Sequence, residues 1–161
     1  MGGRLVYHSF LIHLIRECDN PEDVETELWH AGYDIGIKLY NEFFSRFNLP
    51  ENIPTMKKYG KATWKIFTGD WPDELIYKKH ENLFVARIKD CIFCRDLILP
   101  EKFQFHACEI SAGIYTSALD LWLKEKKLPY TVTAHETKCR MMGDNFCELQ
   151  IKFEKFEEQA E

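Results

Sequence analysis

A group of potential metal ligands near the C-terminus constrains this chain more than any other feature. Cys139 and Cys147 flank Gly143 at equal distance, and Glu136 stands three residues before the first cysteine. A hairpin that turns about Gly143 would place Cys139 directly opposite Cys147, where Cβ atoms are about 4.5 to 5.5 Å apart. Two thiolates at that spacing can share one metal ion. On a regular strand Glu136 would face away from Cys139, so the interpretation also predicts a β-bulge or an early strand end.

A fourth ligand lies upstream of this hairpin. Cys108 stands near the start of a helical pattern and would complete a tetrahedral set of three sulfurs and one oxygen. Zinc suits such a set, because it binds thiolate at about 2.3 Å and carboxylate at about 2.0 to 2.2 Å in tetrahedral structural sites. The sequence therefore predicts a structural zinc site with these ligands: Cys108, Glu136, Cys139 and Cys147.

Other residues offer alternative ligands. Cys91 and Cys94 form a Cys-x-x-Cys pair, which with Cys139 and Cys147 would make a four-thiolate site. Without a metal, Cys108, Cys139 and Cys147 would be small apolar core residues, and Cys91 and Cys94 would be unused thiols in a loop. Two histidines beside proposed ligands are further substitutes: His106 and His135.

Composition and charge narrow the class of partner. The 161 residues suit one domain, and we expect a single domain over residues 1–161. No apolar run is long enough to cross a bilayer, and the N-terminus shows no export signal. We therefore expect a cytoplasmic protein whose cysteines are reduced, where closely spaced thiols indicate metal binding more often than disulfides. The net charge of -5, with scattered Lys and Arg, argues against a nucleic-acid partner.

The remaining patterns predict long helices packed on two hairpins. Asn20-Pro21-Glu22-Asp23 marks a helix start, with a capping residue, a proline at the first helical position and acids facing the dipole. This helix should reach about Phe47. Its predicted core stripe is Val24, Leu28, Ala31, Ile35, Leu39 and Phe43. Other helices are predicted at about 5–18, 55–67 and 104–126, and hairpins at about 75–89 and 130–153.

Gly32 and Gly36 lie one turn apart in the long helix, where each costs roughly 1 kcal/mol relative to alanine. They indicate close approach by a neighbouring helix or by a twofold mate, or else space for a ligand. The helix also carries more aromatic residues than one core stripe needs. These residues would line an apolar pocket between helix and sheet, or would fill the core or a dimer interface. The candidate pocket residues are Trp29, Tyr33, Tyr40 and Phe44.

Two motifs resemble known families. Cys108, Gly113, Glu136-x-x-Cys139 and Gly143-Asp144-x-x-Cys147 are together similar to the pattern of the 4-vinyl reductase domain family, which includes the sensor domains of phenol-responsive activators. In those sensors the matching Cys, Glu, Cys and Cys bind a structural zinc beside a pocket for an aromatic effector. The segment 32–39 resembles a helix motif of the TRAPP vesicle-tethering core subunits, which share the fold. The resemblance implies an α+β fold with long helices packed on an antiparallel sheet of about four strands.

Three hypotheses for function follow. The first is a dimeric, zinc-stapled domain, sensory or regulatory, that binds a small hydrophobic or aromatic ligand. The second is a TRAPP-like assembly subunit that acts through its surfaces. The third, by resemblance to the vinyl reductases, is an enzyme of tetrapyrrole metabolism. The chain has no Gly-rich dinucleotide loop and no nucleophile motif, and a closed four-ligand zinc site leaves no position for substrate. Both points argue against an enzyme.

Overall fold

Helices pack against a four-stranded antiparallel sheet in the described part of the chain. The computed structural model describes residues 2–46, 49–57, 60–61, 64–65, 71–99 and 103–156. The main elements are α1 (Gly2–Glu17), α2 (Pro21–Glu42), β1 (Glu74–Lys78), β2 (Leu83–Ile88), α3 (Glu109–Glu125), β3 (Tyr130–Lys138) and β4 (Cys147–Lys155). The predicted α+β class is confirmed. None of the helices in these ranges combines the length and apolar character needed to span a bilayer.

The sheet has the strand order β1-β2-β4-β3, and every neighbouring pair is antiparallel. The two predicted hairpins, β1 with β2 and β3 with β4, are therefore both present. They join where β2 pairs with β4, from Leu83 opposite Lys152 to Ile88 opposite Cys147. This pairing places the end of β2 beside the start of β4. The buried cysteines lie at this end of the two strands.

The last hairpin contains the predicted bulge. Glu136 pairs with Leu149 and Lys138 pairs with Glu148, so Thr137 is an extra residue on β3. The bulge reverses the alternation, and Glu136 is buried together with Cys139 instead of facing away from it. The turn includes Gly143 at φ +93°, a left-handed conformation that glycine adopts without steric cost.

The start of α2 is as predicted. The Asn20 side chain accepts a hydrogen bond of 2.9 Å from the Asp23 N–H, and Pro21 is the first helical residue. The helix ends at Glu42, before the predicted Phe47, which lies outside the described residues.

The buried face of α2 differs from the predicted stripe. Ile35 and Phe43 are 39% and 55% exposed, so their assignment to the core was wrong. Apolar and aromatic residues occur around most of this helix, so periodicity alone did not identify the face that packs inward. The buried residues of α2 are Val24, Leu28, Gly32, Gly36 and Tyr40.

Glycines bring the backbones of α2 and α3 into direct contact. A Cβ atom added at Gly32 would lie 2.0 Å from the Ile110 carbonyl oxygen, and one added at Gly113 would lie 2.0 Å from the Trp29 carbonyl oxygen. A Cβ at Gly36 would meet the Ile114 oxygen at 2.5 Å. The predicted close approach by a neighbouring helix is confirmed, and that neighbour is α3 of the same chain.

Two other helix predictions have mixed outcomes. Residues 56–57, 60–61 and 64–65 of the helix predicted at 55–67 are helical, residue 55 is in a turn, and the other positions of that span lie outside the described residues. The helix predicted from 104 begins only at Glu109.

Candidate metal centre and apolar cavity

Five buried cysteines converge beside the N-terminal end of α3. Each is at most 7% exposed. They come from separate segments: a turn after β2, the residue before α3, the residue after β3 and the first residue of β4. The thiol cluster consists of Cys91, Cys94, Cys108, Cys139 and Cys147.

The sulfur atoms are close together without forming disulfides. Cys108 Sγ lies 3.1 Å from Cys91 Sγ and 3.9 Å from Cys94 Sγ. Cys94 Sγ is also 3.7 Å from Cys139 Sγ and 3.5 Å from Cys147 Sγ. Ligand atoms within 4.8 Å of one another form two groups that share Cys147, so the cluster is able to hold a metal ion. The groups are Cys91, Cys94, Cys108 and Cys147, and Glu136, Cys139 and Cys147.

Hydrogen bonds within the cluster lower the pKa of two thiols and raise that of Cys108, so the cysteines share protons. The bond from the Cys108 thiol lowers the pKa of Cys91, and the bond from the Cys147 thiol lowers the pKa of Cys139 to about 2. A low pKa favours the thiolate, which is the species that coordinates a metal.

The Glu136 carboxylate reaches the cluster from the bulge in β3. It is 5% exposed, and its Oε2 accepts a hydrogen bond of 2.7 Å from the Cys108 backbone N–H. Its Oε1 is buried with no hydrogen-bond partner in the structure. Burial raises the pKa of Glu136, and the nearby Cys139 thiol raises it further.

All four predicted ligands thus lie in or beside the cluster, but Cys108 does not belong to the mutually close group that contains Glu136 and Cys139. The histidines belong to neither group. His106 Nδ1 is 2.9 Å from Glu25 Oε1, and the His135 side chain is 67% exposed.

An apolar cavity of about 70 Å³ lies between α2, α3 and the sheet. Two of the four predicted pocket residues, Tyr40 and Phe44, line it. Trp29 and Tyr33 lie outside it and stack on each other with ring centroids 5.2 Å apart. The other lining residues are Leu49, Met56, Gly60, Trp64, Pro72, Leu75, Phe84, Ala86, Tyr115, Ala118, Leu119, Trp122, Leu149, Ile151 and Phe153.

Polar groups near this cavity are already hydrogen-bonded. The Tyr40 hydroxyl donates to Glu125 Oε2 at 2.6 Å, and Trp122 Nε1 donates to the Pro50 carbonyl at 3.0 Å. These bonds turn the polar ends of two large rings toward partners and leave their carbon surfaces for the cavity wall. The wall therefore suits an apolar occupant.

The thiol cluster and the cavity are built on the same two elements. Cys108 directly precedes α3, which contributes Tyr115 and Trp122 to the cavity, and Cys147 begins β4, which contributes Leu149 and Phe153. A bound metal would therefore fix the ends of two cavity walls.

The sequence contained signals for the site residues outside the leading prediction, and Cys91 and Cys94 were already an alternative pair of ligands. The Cys-x-x-Cys spacing marked Cys91 and Cys94, but no pattern indicated that they meet Cys108. The alternation of Leu149, Ile151 and Phe153 is typical of one face of a strand. Whether that face lines a cavity depends on how the helices pack against the sheet, which the strand pattern does not encode.

Comparison with known proteins gives a family. The family model "Transport protein particle (TRAPP) component" matches residues 4–154. An uncharacterized protein of Methanocaldococcus jannaschii is 31% identical over 131 residues, which cover 81% of this chain and 66% of that protein. Trafficking protein particle complex subunit 3 of Dictyostelium discoideum is 24% identical over 162 residues, covering 94% of this chain and 81% of the subunit.

Solved structures share the fold at low identity. A Naegleria fowleri trafficking protein particle complex subunit 3, covalently bound to palmitic acid, superposes with a TM-score of 0.79 at 19% identity, covering 97% of this chain and 95% of that one. The phenol-responsive sensory domain of the activator PoxR, solved with phenol, gives a TM-score of 0.55 at 12% identity and covers 92% and 73%. Because the family model matches nearly the whole length of this chain, the chain belongs to the TRAPP component family.

Proposed function

We propose that this chain is a TRAPP-family module that binds a small hydrophobic ligand, either an aromatic ring or an acyl chain, in the cavity between α2, α3 and the sheet. The observation that carries the proposal is the cavity itself, because none of its described lining residues bears a charge. Binding sites for small molecules are typically concave and mostly apolar. A regulatory role follows if the bound ligand alters the surface that the module presents to other proteins.

The structural neighbours support this class of ligand. One was solved with palmitic acid and the other with phenol, which are both mainly apolar molecules. At 19% and 12% identity, these neighbours establish only a shared fold. Palmitate and phenol are therefore suitable ligands with which to test binding to this chain. The similarity of the C-terminal motif to the 4-vinyl reductase family points to the same class.

The ligand would be held without a thioester bond. All six cysteines are accounted for, since five form the thiol cluster and Cys18 follows α1. None of them lines the cavity. Binding by packing alone is reversible, as a sensor or carrier requires.

The module would also bind one zinc ion in the thiol cluster. Buried thiolates suit zinc, which takes soft sulfur ligands in tetrahedral structural sites. Its ligands would be four of six buried candidates, the five thiols and Glu136. A site closed by four protein ligands stabilises the fold and leaves no position for catalysis.

A ligand titration tests the proposal. Trp64 and Trp122 line the cavity, so a bound palmitate or phenol should change tryptophan fluorescence and raise the melting temperature. Ala118→Phe would fill the cavity and should abolish both responses. Ser9→Phe adds the same ring at an exposed position of α1 and should leave both unchanged. If the wild-type protein responds to no fatty acid and no phenol, the proposed function is wrong.

A second candidate function is an assembly subunit. Ile35 on α2 and Phe43 directly after it expose apolar surface, and one relative is named as a subunit of a trafficking complex. We propose a homodimer in the cytoplasm as the minimal form. Because Gly32 and Gly36 already pack on α3, the dimer would need another surface. Light scattering after gel filtration would measure the mass, and a monomer at all concentrations would contradict the homodimer.

A further inference from the structure

We infer that the metal site is a four-thiolate site formed by Cys91, Cys94, Cys108 and Cys147, and that Glu136 remains outside the coordination sphere. This inference rests on the proposed zinc binding and specifies its ligands. It replaces Glu136 and Cys139 of the sequence-predicted set with the Cys-x-x-Cys pair.

The sulfur positions fit a single zinc ion. Four sulfurs at about 2.3 Å from a tetrahedral zinc are about 3.8 Å from one another. Cys94 Sγ lies 3.9 Å from Cys108 Sγ and 3.5 Å from Cys147 Sγ, close to that spacing. The Cys91 to Cys108 distance of 3.1 Å is well beyond the ~2.0 Å of a disulfide. Cys91, Cys94, Cys108 and Cys147 form a group in which all four sulfurs lie within 4.8 Å of one another. Cys139 Sγ is also 3.7 Å from Cys94 Sγ, so the assignment rests on this four-sulfur group and not on that one distance.

Backbone hydrogen bonds hold the proposed ligands in place. Cys91 and Cys94 are held in one tight turn, in which the Cys94 N–H and the Arg95 N–H both donate to the Cys91 carbonyl, at 3.2 and 2.9 Å. Cys108 occupies the N-cap position of α3, and its carbonyl accepts hydrogen bonds from the Ser111 N–H at 2.8 Å and the Ala112 N–H at 3.3 Å. The Arg140 N–H donates to Cys147 Sγ at 3.5 Å.

Glu136 and Cys139 have other structural roles. Glu136 Oε2 accepts from the Cys108 N–H at 2.7 Å, so the carboxylate positions the backbone of a ligand. Such supporting hydrogen bonds commonly orient metal ligands. The Cys139 backbone is fixed in the hairpin turn, where its N–H donates to Asp144 Oδ2 at 3.0 Å and its carbonyl accepts from the Met142 N–H at 2.9 Å.

X-ray absorption at the zinc edge tests the inference on the wild-type protein. Protein produced with ample zinc should contain one zinc ion per chain, with four sulfur neighbours at about 2.3 Å and no oxygen. Three sulfurs with one oxygen at about 2.0 to 2.2 Å would overturn the four-thiolate assignment and leave zinc binding intact. Protein without zinc would overturn the proposed metal function itself.

Matched variants separate ligands from supporting residues. Cys94→Ser should lose zinc or show only three sulfurs, whereas Cys18→Ser, which changes a thiol outside the cluster, should match the wild type. Glu136→Gln retains a carbonyl oxygen for the Cys108 N–H and should keep four sulfur neighbours, with an affinity loss of up to about 100-fold. A four-sulfur spectrum in Cys94→Ser, or loss of a zinc neighbour in Glu136→Gln, would overturn the inference.

Discussion

Replacement of Gly32 by alanine tests the direct contact between α2 and α3 that shapes the cavity. The added Cβ would lie 2.0 Å from the Ile110 carbonyl oxygen and 2.8 Å from its carbonyl carbon, both backbone atoms. Neither atom can rotate away as a side chain would. The two helices must therefore separate by about 1 Å, and Tyr40 and Tyr115, which line the cavity on either helix, would separate with them.

The expected loss of stability is the difference between two effects. Overpacking a well-packed core costs about 1 to 3 kcal/mol, and a clash between backbones belongs at the upper end. Alanine in place of glycine inside a helix gains about 1 kcal/mol. The free energy of unfolding should therefore fall by about 2 kcal/mol, which lowers the melting temperature by about 4 to 8 °C for a domain of this size.

Urea denaturation of Gly32→Ala and Gly60→Ala measures this effect with an internal control. Gly60 is also helical, but a Cβ there would lie 3.5 Å from Leu75 Cδ2, an ordinary contact. Gly60→Ala should therefore be neutral or gain up to about 1 kcal/mol. If Gly32→Ala is as stable as the wild type, the two backbones are not in the contact described.

Three further changes have expected outcomes. Tyr40→Phe removes the 2.6 Å hydrogen bond to Glu125 and should lower the free energy of unfolding in urea by about 1 kcal/mol. Ligand binding should be kept, because the ring remains. An unchanged midpoint would show that this bond contributes nothing to stability. Asn20→Ala removes the cap on the Asp23 N–H and should also cost about 1 kcal/mol, measured by the same transition. If the thiol cluster holds zinc as proposed, removal of the metal with a chelator should lower the melting temperature and weaken palmitate binding several-fold in calorimetry, because the metal would anchor two elements of the cavity wall. Equal affinity with and without zinc would separate the two sites.

Much of the fold could be predicted because its signals are local. The Asn20 cap and the turn at Gly143 each follow from a few neighbouring residues. The bulge before Cys139 followed from the expectation that Glu136 faces the same side as the cysteines. The glycines of α2 indicated a close neighbour or space for a ligand, and the structure shows that α3 is the neighbour.

The position of the cavity depended on contacts that no local pattern encodes. Aromatic residues lie on several faces of α2, so Trp29 and Tyr40 were equal candidates until the glycine contact with α3 fixed the rotation of the helix. The Cys91 to Cys94 turn was recognisable by its spacing. Its place beside Cys108 depends on how the segment between β2 and α3 folds back, and this is a tertiary property.

Mass spectrometry of the protein as purified from its host tests the central claim most directly. Under native conditions we expect the chain to carry an apolar molecule, and under denaturing conditions we expect the mass of the unmodified polypeptide, because no cysteine lines the cavity. Organic extraction should then recover the ligand. An acyl mass that survives denaturation would contradict reversible binding, and a native spectrum of the bare chain, together with no response to added fatty acids or phenols, would contradict the binding function.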